Sequence, residues 1–300
     1  MASRVAVIGL GTMGYGAAAS LLRRGFSVAG CDLRDDIRAR FAAAGGDATA
    51  SPAAAARGAE AVFVFVVNAE QTSAALFGEG GAAQALAPGA LIACCATVPP
   101  AAAEELGRRI EAAGLLMLDA PVSGGGAKAA SGEMTVMASG SVAAFAKAEP
   151  FLDAIAAKVY RLGDRPGQGS KVKMINQLLA GVHIAAACEA MAFGLRNGID
   201  PAALFEVISN SAGSSWMFQN RVPHILDGDY APKSAVDIFV KDLGIVLETG
   251  KALSFPLPVA ATAHQLFLAA AAKGLGREDD SAVVKVYADQ AGLKLPGKAG

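Results

Sequence analysis

The stretch Val5-Ala6-Val7-Ile8-Gly9-Leu10-Gly11-Thr12-Met13-Gly14 decides how this chain folds. Its four leading apolar residues read as a buried strand, and Met13 to Arg24 as a helix stopped at Gly25. Between them stands a G-x-G-x-x-G, a pattern common in unrelated loops. Here it follows a strand and opens a helix, the setting in which it has a mechanism. Gly9 permits the tight turn, Gly11 lets a pyrophosphate approach the main chain, and Gly14 lets helix and strand pack closely. Leu10, Thr12 and Met13 complete the loop, and the helix offers unpaired N–H groups and its positive end to the phosphates. A dinucleotide site also needs an acid for the adenosine ribose. Asp32, closing the second apolar run 23 positions after Gly9, stands where that acid belongs. A carboxylate there accepts from the ribose hydroxyls and repels a 2′-phosphate, so NAD is expected over NADP. Arg34, two residues on, could soften that preference. The plain alternative is a glycine turn beside a solvated aspartate.

Working outward, the same alternation continues. Ser27 to Cys31 reads as a second strand, followed by a helix from Asp35 to Ala44. Ala61 to Val67, Leu91 to Cys95 and Leu115 to Asp119 read as the third to fifth strands, with later ones at Thr135 to Ala138 and Val159 to Leu162. Short apolar strands between helices imply βαβ units and a parallel sheet covered on both faces. The fold class is therefore α/β, a Rossmann-type doubly wound parallel sheet over residues 1–164. After Gly163 the strand pattern stops. The breaker cluster Gly163-Asp164-Arg165-Pro166-Gly167-Gln168-Gly169 leads into a helical pattern from Ser170 to about Gly198. Further helices are expected from Pro201, from Pro232 to Gly250, from Pro258 to Lys273 and from Ser281 to Gln290. Residues 165–300 thus read as an all-helical domain for substrate and subunit contacts. It begins with a long interdomain helix, and the active site is expected in the cleft beneath that helix.

Composition removes whole classes of function. Of 300 residues, 53% are hydrophobic and 18% charged, enough apolar material for sizeable cores. The 26 Lys and Arg against 27 Asp and Glu leave a net charge of −1, so neither nucleic acid nor an anionic membrane is an expected partner. Mean hydropathy is +0.41. Yet the longest strand-like apolar run, Ala61 to Val67, is far below the ~20 residues that span a bilayer. The Ala-rich stretch from Leu178 to Phe193 is interrupted by His183 and Glu189 and suits a buried helix. Val5 to Leu10 is too short for the core of a signal peptide. Cys31, Cys94, Cys95 and Cys188 lack metal-ligand spacing, so no metal is expected, and reduced thiols in a soluble cytoplasmic protein are the economical reading. The Ala- and Leu-rich helices favour a homo-oligomer, a homodimer or homotetramer.

Four stretches, in chain order, match the pattern of one family. They are Gly9-Leu10-Gly11-Thr12-Met13-Gly14, Asp119-Ala120-Pro121-Val122-Ser123-Gly124-Gly125, Gly167-Gln168-Gly169 with Lys173 and Asn176, and Lys241-Asp242-Leu243. On these the chain resembles the β-hydroxyacid dehydrogenases, among them 3-hydroxyisobutyrate dehydrogenase and tartronate semialdehyde reductase. The resemblance spans nearly the whole chain. It implies an NAD-dependent enzyme acting on the CH–OH group of a small hydroxy acid, with Asp119 to Gly125 as substrate loop and Lys173 as catalytic residue. It further implies Lys241 near cofactor and substrate, and Asn68 and Thr97 near the nicotinamide ribose, at the carboxyl ends of the third and fourth strands. Two departures stand out. Cys94-Cys95-Ala96-Thr97 replaces the usual Asp- or Ser-containing run, and Gln177 stands where many members have a second Asn.

The chemistry of these residues agrees with the resemblance. Lys173 and Asn176 are i and i+3 on one helix and share a face, whereas Lys171 lies on another. Lys173 can serve as general base on a substrate hydroxyl, a task that needs an amine tuned by burial or by a neighbouring cation; Lys241 is the candidate neighbour. Asn176 can hold the hydroxyl or orient the lysine. Ser123 and the amides of Gly124 and Gly125 can bind a carboxylate, because glycine lets a small anion approach the main chain. The plainer readings are a solvated lysine, a simple turn at Ser123 to Gly125, and a surface pair of Lys241 with Asp242. Outside enzymes, the alternative is a non-catalytic NAD-binding regulator, against which the Lys173-x-x-Asn176 pair argues.

Lys171 to His183, together with Ser214-Ser215-Trp216-Met217-Phe218 and Asn220-Arg221-Val222-Pro223-His224, resembles the L-threonate-oxidising branch of that family. This resemblance implies NAD-dependent oxidation at C2 to 2-oxo-threonate. A four-carbon sugar acid asks for a more polar pocket than a methyl-bearing acid does. Ser214, Ser215, Asn220, Gln177 and His183 are candidates to supply it, with Trp216 either a pocket wall or simply a core or interface aromatic. The smaller acids of 3-hydroxyisobutyrate dehydrogenase and tartronate semialdehyde reductase remain alternatives.

Overall fold

The buried run at the N-terminus forms β1 (Arg4–Ile8), near the middle of a nine-stranded sheet in a computed structural model that describes residues 3–297. Val5 and Val7 point into one apolar core with α1 (Thr12–Arg23), and Ala6 and Ile8 into another on the opposite face. Both faces being covered, the strand carries no polar alternation. The parallel part of the sheet runs β3 (Asp47–Thr49), β2 (Ser27–Cys31), β1, β4 (Ala61–Val64), β5 (Leu91–Cys94) and β6 (Leu116–Asp119). Ile8 lies opposite Cys31 on one side and Val64 on the other. Between these strands come α2 (Asp35–Ala43), α3 (Pro52–Ala56), α4 (Ala69–Phe77) and α5 (Pro100–Ala112). The order reverses at β1, so the ligand crevice of such a sheet falls beyond the carboxyl ends of β1 and β4.

The sheet is parallel, as expected, except at one edge. After Asp119 the chain passes through β7 (Val122–Ser123) and α6 (Gly125–Ser131), then returns as β8 (Met134–Gly140), antiparallel to β6 and β7. The cause is the position of α6, which packs on α1 instead of carrying the chain back across the sheet: a Cβ at Gly16 would lie 2.7 Å from the Ala129 backbone. α7 (Val142–Ile155) then leads to β9 (Ala156–Arg161), parallel to β8. β3 has no counterpart in the sequence reading. β4 also stops at Val64, not Val67, because the Val67 N–H donates to the Gln71 side chain at the start of α4.

The chain divides between Lys173 and Met174, inside α8 (Gln168–Arg196), into two compact units. The second is helical: the rest of α8, α9 (Pro201–Ser209), α10 (Trp216–Asp227), α11 (Val236–Ala252), α12 (Pro258–Ala270) and α13 (Val284–Ala291). Ile184, Cys188 and Met191 of α8 join Phe239, Leu243 and Phe267 in its core. α10, absent from the expected helices, forms with Pro223 inside it and Ser215 as its cap. The helix expected from Pro232 starts only at Val236, since the preceding residues pair with the segment around Asp279. α12 ends at Ala270, short of Lys273, and passes into a π turn in which Gly274 has φ +82°. Among the described residues α8 alone has the length and hydropathy of a membrane-crossing helix, and 44% of its most apolar window is buried within the protein.

Candidate active site

The three motif glycines are required for different reasons. Gly9 has φ +88°, and its N–H donates to the Cys31 carbonyl at the end of β2. A Cβ there would lie 2.7 Å from the Phe65 carbonyl oxygen, and one at Gly14 only 1.9 Å from the Gly9 oxygen. Both glycines are demanded by the protein's own packing. Gly11 differs, because a Cβ there would meet no described atom within 4 Å. The space above Gly11 is open, and Gly11 caps α1 without any side chain and with no acid in the first turn. A helix end so arranged suits a phosphate.

Asp32, just past β2, is almost fully buried. Its Oδ2 accepts from the Leu10 N–H (2.9 Å) and from Arg34 Nη2, its Oδ1 from the Arg34 N–H and Nε, all three at 3.0 Å. Burial pushes its pKa up, but the Arg34 and Leu10 hydrogen bonds outweigh that and hold the carboxyl below its ordinary range. Asp32 thus stays ionised beside the loop. Arg34 sits on the carboxylate itself, so a ribose hydroxyl meets an acid already carrying four donors. The open Gly11 and the ionised Asp32 fit a dinucleotide.

The other loops of the crevice come from neighbouring strands. Asn68 caps α4, its Oδ1 accepting from the Gln71 N–H at 2.8 Å, and so lies four residues past the end of β4 instead of closing the strand. Thr97, half-buried, follows β5. Ser123 ends β7 opposite Thr135, and Gly124 and Gly125 have φ +129° and +72°, values that exclude most side chains. A Cβ at Gly126 would lie 2.4 Å from the Thr12 methyl, so the candidate substrate loop abuts the dinucleotide loop.

Lys173 lies in the second turn of α8 and is only 6% exposed, whereas Lys171 projects outward to pair with Glu104 at 3.1 Å. The helix start is fixed by groups that the sequence reading passed over. Asp119 does not turn into the substrate loop. Its Oδ2 accepts the N–H groups of Gly167 (2.8 Å) and Ser170 (2.9 Å), and its Oδ1 the Ser170 hydroxyl (2.8 Å). Burial pushes this carboxyl upward, against those hydrogen bonds. Its partners lie 48 and 51 positions away, a separation no local pattern reveals.

In the helical unit, Asn176 Nδ2 donates to Gln177 Oε1 (3.0 Å), and Gln177 Nε2 donates to Asp242 of α11. Asp242 is 2% exposed and also accepts from Lys241 Nζ. The plain pairing of Lys241 with Asp242 therefore exists, around a buried acid. The polar candidates further along are engaged locally: Ser214 accepts from Gln219, Ser215 caps α10, and Asn220 accepts from Arg221. Trp216 is 56% exposed, which removes it from the core.

A helix end kept open for phosphate beside an ionised ribose acid belongs to the dehydrogenases that use a nicotinamide dinucleotide. Residues 4–163 match the family model described as the NAD binding domain of 6-phosphogluconate dehydrogenase, and 167–287 that described as NAD-binding of NADP-dependent 3-hydroxyisobutyrate dehydrogenase. The chain is 62% identical to L-threonate dehydrogenase of Cupriavidus necator over 299 residues, all of both chains. With L-threonate dehydrogenase of Escherichia coli K12 it shares 53% over 294 residues, 98% of this chain and 96% of the other. A crystal structure described as 3-hydroxyisobutyrate dehydrogenase from Salmonella typhimurium superposes with a TM-score of 0.91 at 53% identity, over 95% of this chain and 99% of that one. The chain belongs to the β-hydroxyacid dehydrogenase family. It is an NAD-dependent hydroxyacid dehydrogenase with a Rossmann domain followed by a helical one.

Proposed function

We propose that the enzyme oxidises L-threonate at C2 to 2-oxo-threonate, with Lys173 as proton acceptor. The full-length likeness to L-threonate dehydrogenases carries the choice of substrate. The burial of Lys173 on α8 supports its role, because an amine withdrawn from bulk water holds or releases a proton at a defined place. Lys173 Nζ takes the proton of the C2 hydroxyl and becomes an ammonium; in the reverse direction it returns that proton to the carbonyl oxygen. Bound NAD supplies the hydride acceptor. Ser123 and the amides of Gly124 and Gly125 receive the substrate carboxylate, while Asn176 and Gln177 hold its hydroxyls. Gly9 to Gly14, Asp32, Asn68, Thr97 and Lys241 serve the cofactor. We assign the enzyme to the cytoplasm, where its four free, buried cysteines stay reduced, and to a homodimer or homotetramer.

Purified protein with NAD and a panel of aldonates tests the reading. NADH absorbance is expected to rise with L-threonate; no NADH from that acid overturns the substrate. The likeness to the Salmonella protein keeps 3-hydroxyisobutyrate in the same panel, and tartronate semialdehyde, which would be reduced, is tested with NADH as a fall in absorbance.

A further inference from the structure

We infer that Asp119 is a positioning residue of the reaction: by clasping the first turn of α8 it fixes where Lys173 presents its amine. The inference rests on the reading of Lys173 as proton acceptor.

Asp119 closes β6 at the carboxyl edge of the sheet and is 1% exposed. It accepts from uncharged donors: two N–H groups of the α8 start, the Ser170 hydroxyl, and the Ser139 hydroxyl at 3.3 Å. A buried carboxylate is costly, and a helix N-terminus is one of few settings that offsets the cost. Ser139 on β8 makes the clasp two-stranded. Its oxygen accepts the Gly169 N–H at 2.9 Å while its proton goes to Asp119. The helix start is also pressed against that strand, since a Cβ at Gly169 would lie 2.3 Å from the Met137 carbonyl oxygen. The first turn is therefore held by hydrogen bonds from below and by steric contact at its side.

Lys173 follows within the next turn, so it inherits the azimuth of that clasp. A roll of the helix by about 10° moves a group some 6 Å off the axis by about 1 Å. A misplacement of that size can cost about 10²-fold in rate. A carboxylate used only for stability would not favour chemistry over binding.

The test uses full-length Asp119→Asn, Ser170→Ala and Lys173→Ala, and the double variant of the first and last. We expect D119N to lower kcat about 30-fold or more and S170A about 5-fold. KM for the acid should move less than about threefold, and NADH affinity, read by its fluorescence, less than about twofold. The deuterium isotope effect at C2 should grow in both. In the K173A background, D119N should cost nothing further. Should D119N fail to fold, S170A carries the test alone. Parallel losses of NADH affinity and kcat would overturn the inference. So would wild-type kcat in S170A, or a D119N penalty undiminished in K173A. Wild-type enzyme inert toward L-threonate strikes the substrate reading instead, and the variants are then compared on whichever acid of the panel is oxidised.

Discussion

The N-termini of α1 and α8 are used in opposite ways. At α1 the end is left empty: Gly11 contributes no side chain, no acid stands in the first turn, and the space above is open. At α8 the equivalent position is filled from within by the Asp119 carboxylate. The electrostatics of the two ends are the same, since both present amide N–H groups and the positive pole of a dipole. What differs is who supplies the anion. An end left vacant is a ligand site, and one satisfied by a neighbouring strand is an anchor for the residues that follow.

The sharpest separation of the two ends comes from Lys173→Ala. It should lower kcat by about 10³-fold while NADH titration shows affinity within about twofold of wild type. If affinity fell with kcat, the two ends would not be independent. Next come two glycine substitutions. Gly11→Ala should weaken NADH binding about tenfold or more and leave the urea midpoint unchanged, because its Cβ touches nothing in the protein. Gly169→Ala should do the reverse in stability, costing about 2 kcal/mol or more by overpacking against β8. A stability loss in the first or none in the second would break the contrast.

Acidification probes the open end more gently. Because Asp32 is held below its ordinary range, its charge persists as pH falls from 7 to about 5. NADH affinity should stay flat over that window and drop only as pH passes through the lowered pKa; a decline centred near pH 6 would exclude Asp32 as its source. The smallest effect concerns the thiols. Burial raises all four, Cys31 to about 11, so the native enzyme at pH 8 should leave an aromatic disulfide reagent unreacted until denaturant is added.

The open end was legible in the sequence because its elements are local. Strand, glycines and helix adjoin, and Asp32 follows at a spacing set by one βαβ unit. The position of Lys173 and Asn176 on one helix face was legible for the same reason. The closed end was not. Asp119 was visible as the end of the fifth strand and the first letter of the substrate loop, and nothing near it announces Gly167 or Ser170. Antiparallel β8, which brings Ser139 into the clasp, defeated the rule that apolar strands between helices run parallel. Asn68 was read as a strand end because Phe65 to Val67 are apolar, whereas the Val67 N–H already donates to Gln71 of α4. Asp242 was seen only as the counter-ion of Lys241, and its bond to Gln177 depends on how α8 and α11 pack.

The three glycines of the first loop also differ in what would keep them in place over generations. Gly9 and Gly14 answer to the chain's own backbone, and any descendant with this fold must retain them whether or not it still has an occupation. Gly11 answers to a guest alone. In a lineage that had given up its nucleotide, drift would erase Gly11 first and leave the motif looking two-thirds intact. The middle glycine, not the pattern as a whole, is the letter that records a working ancestor.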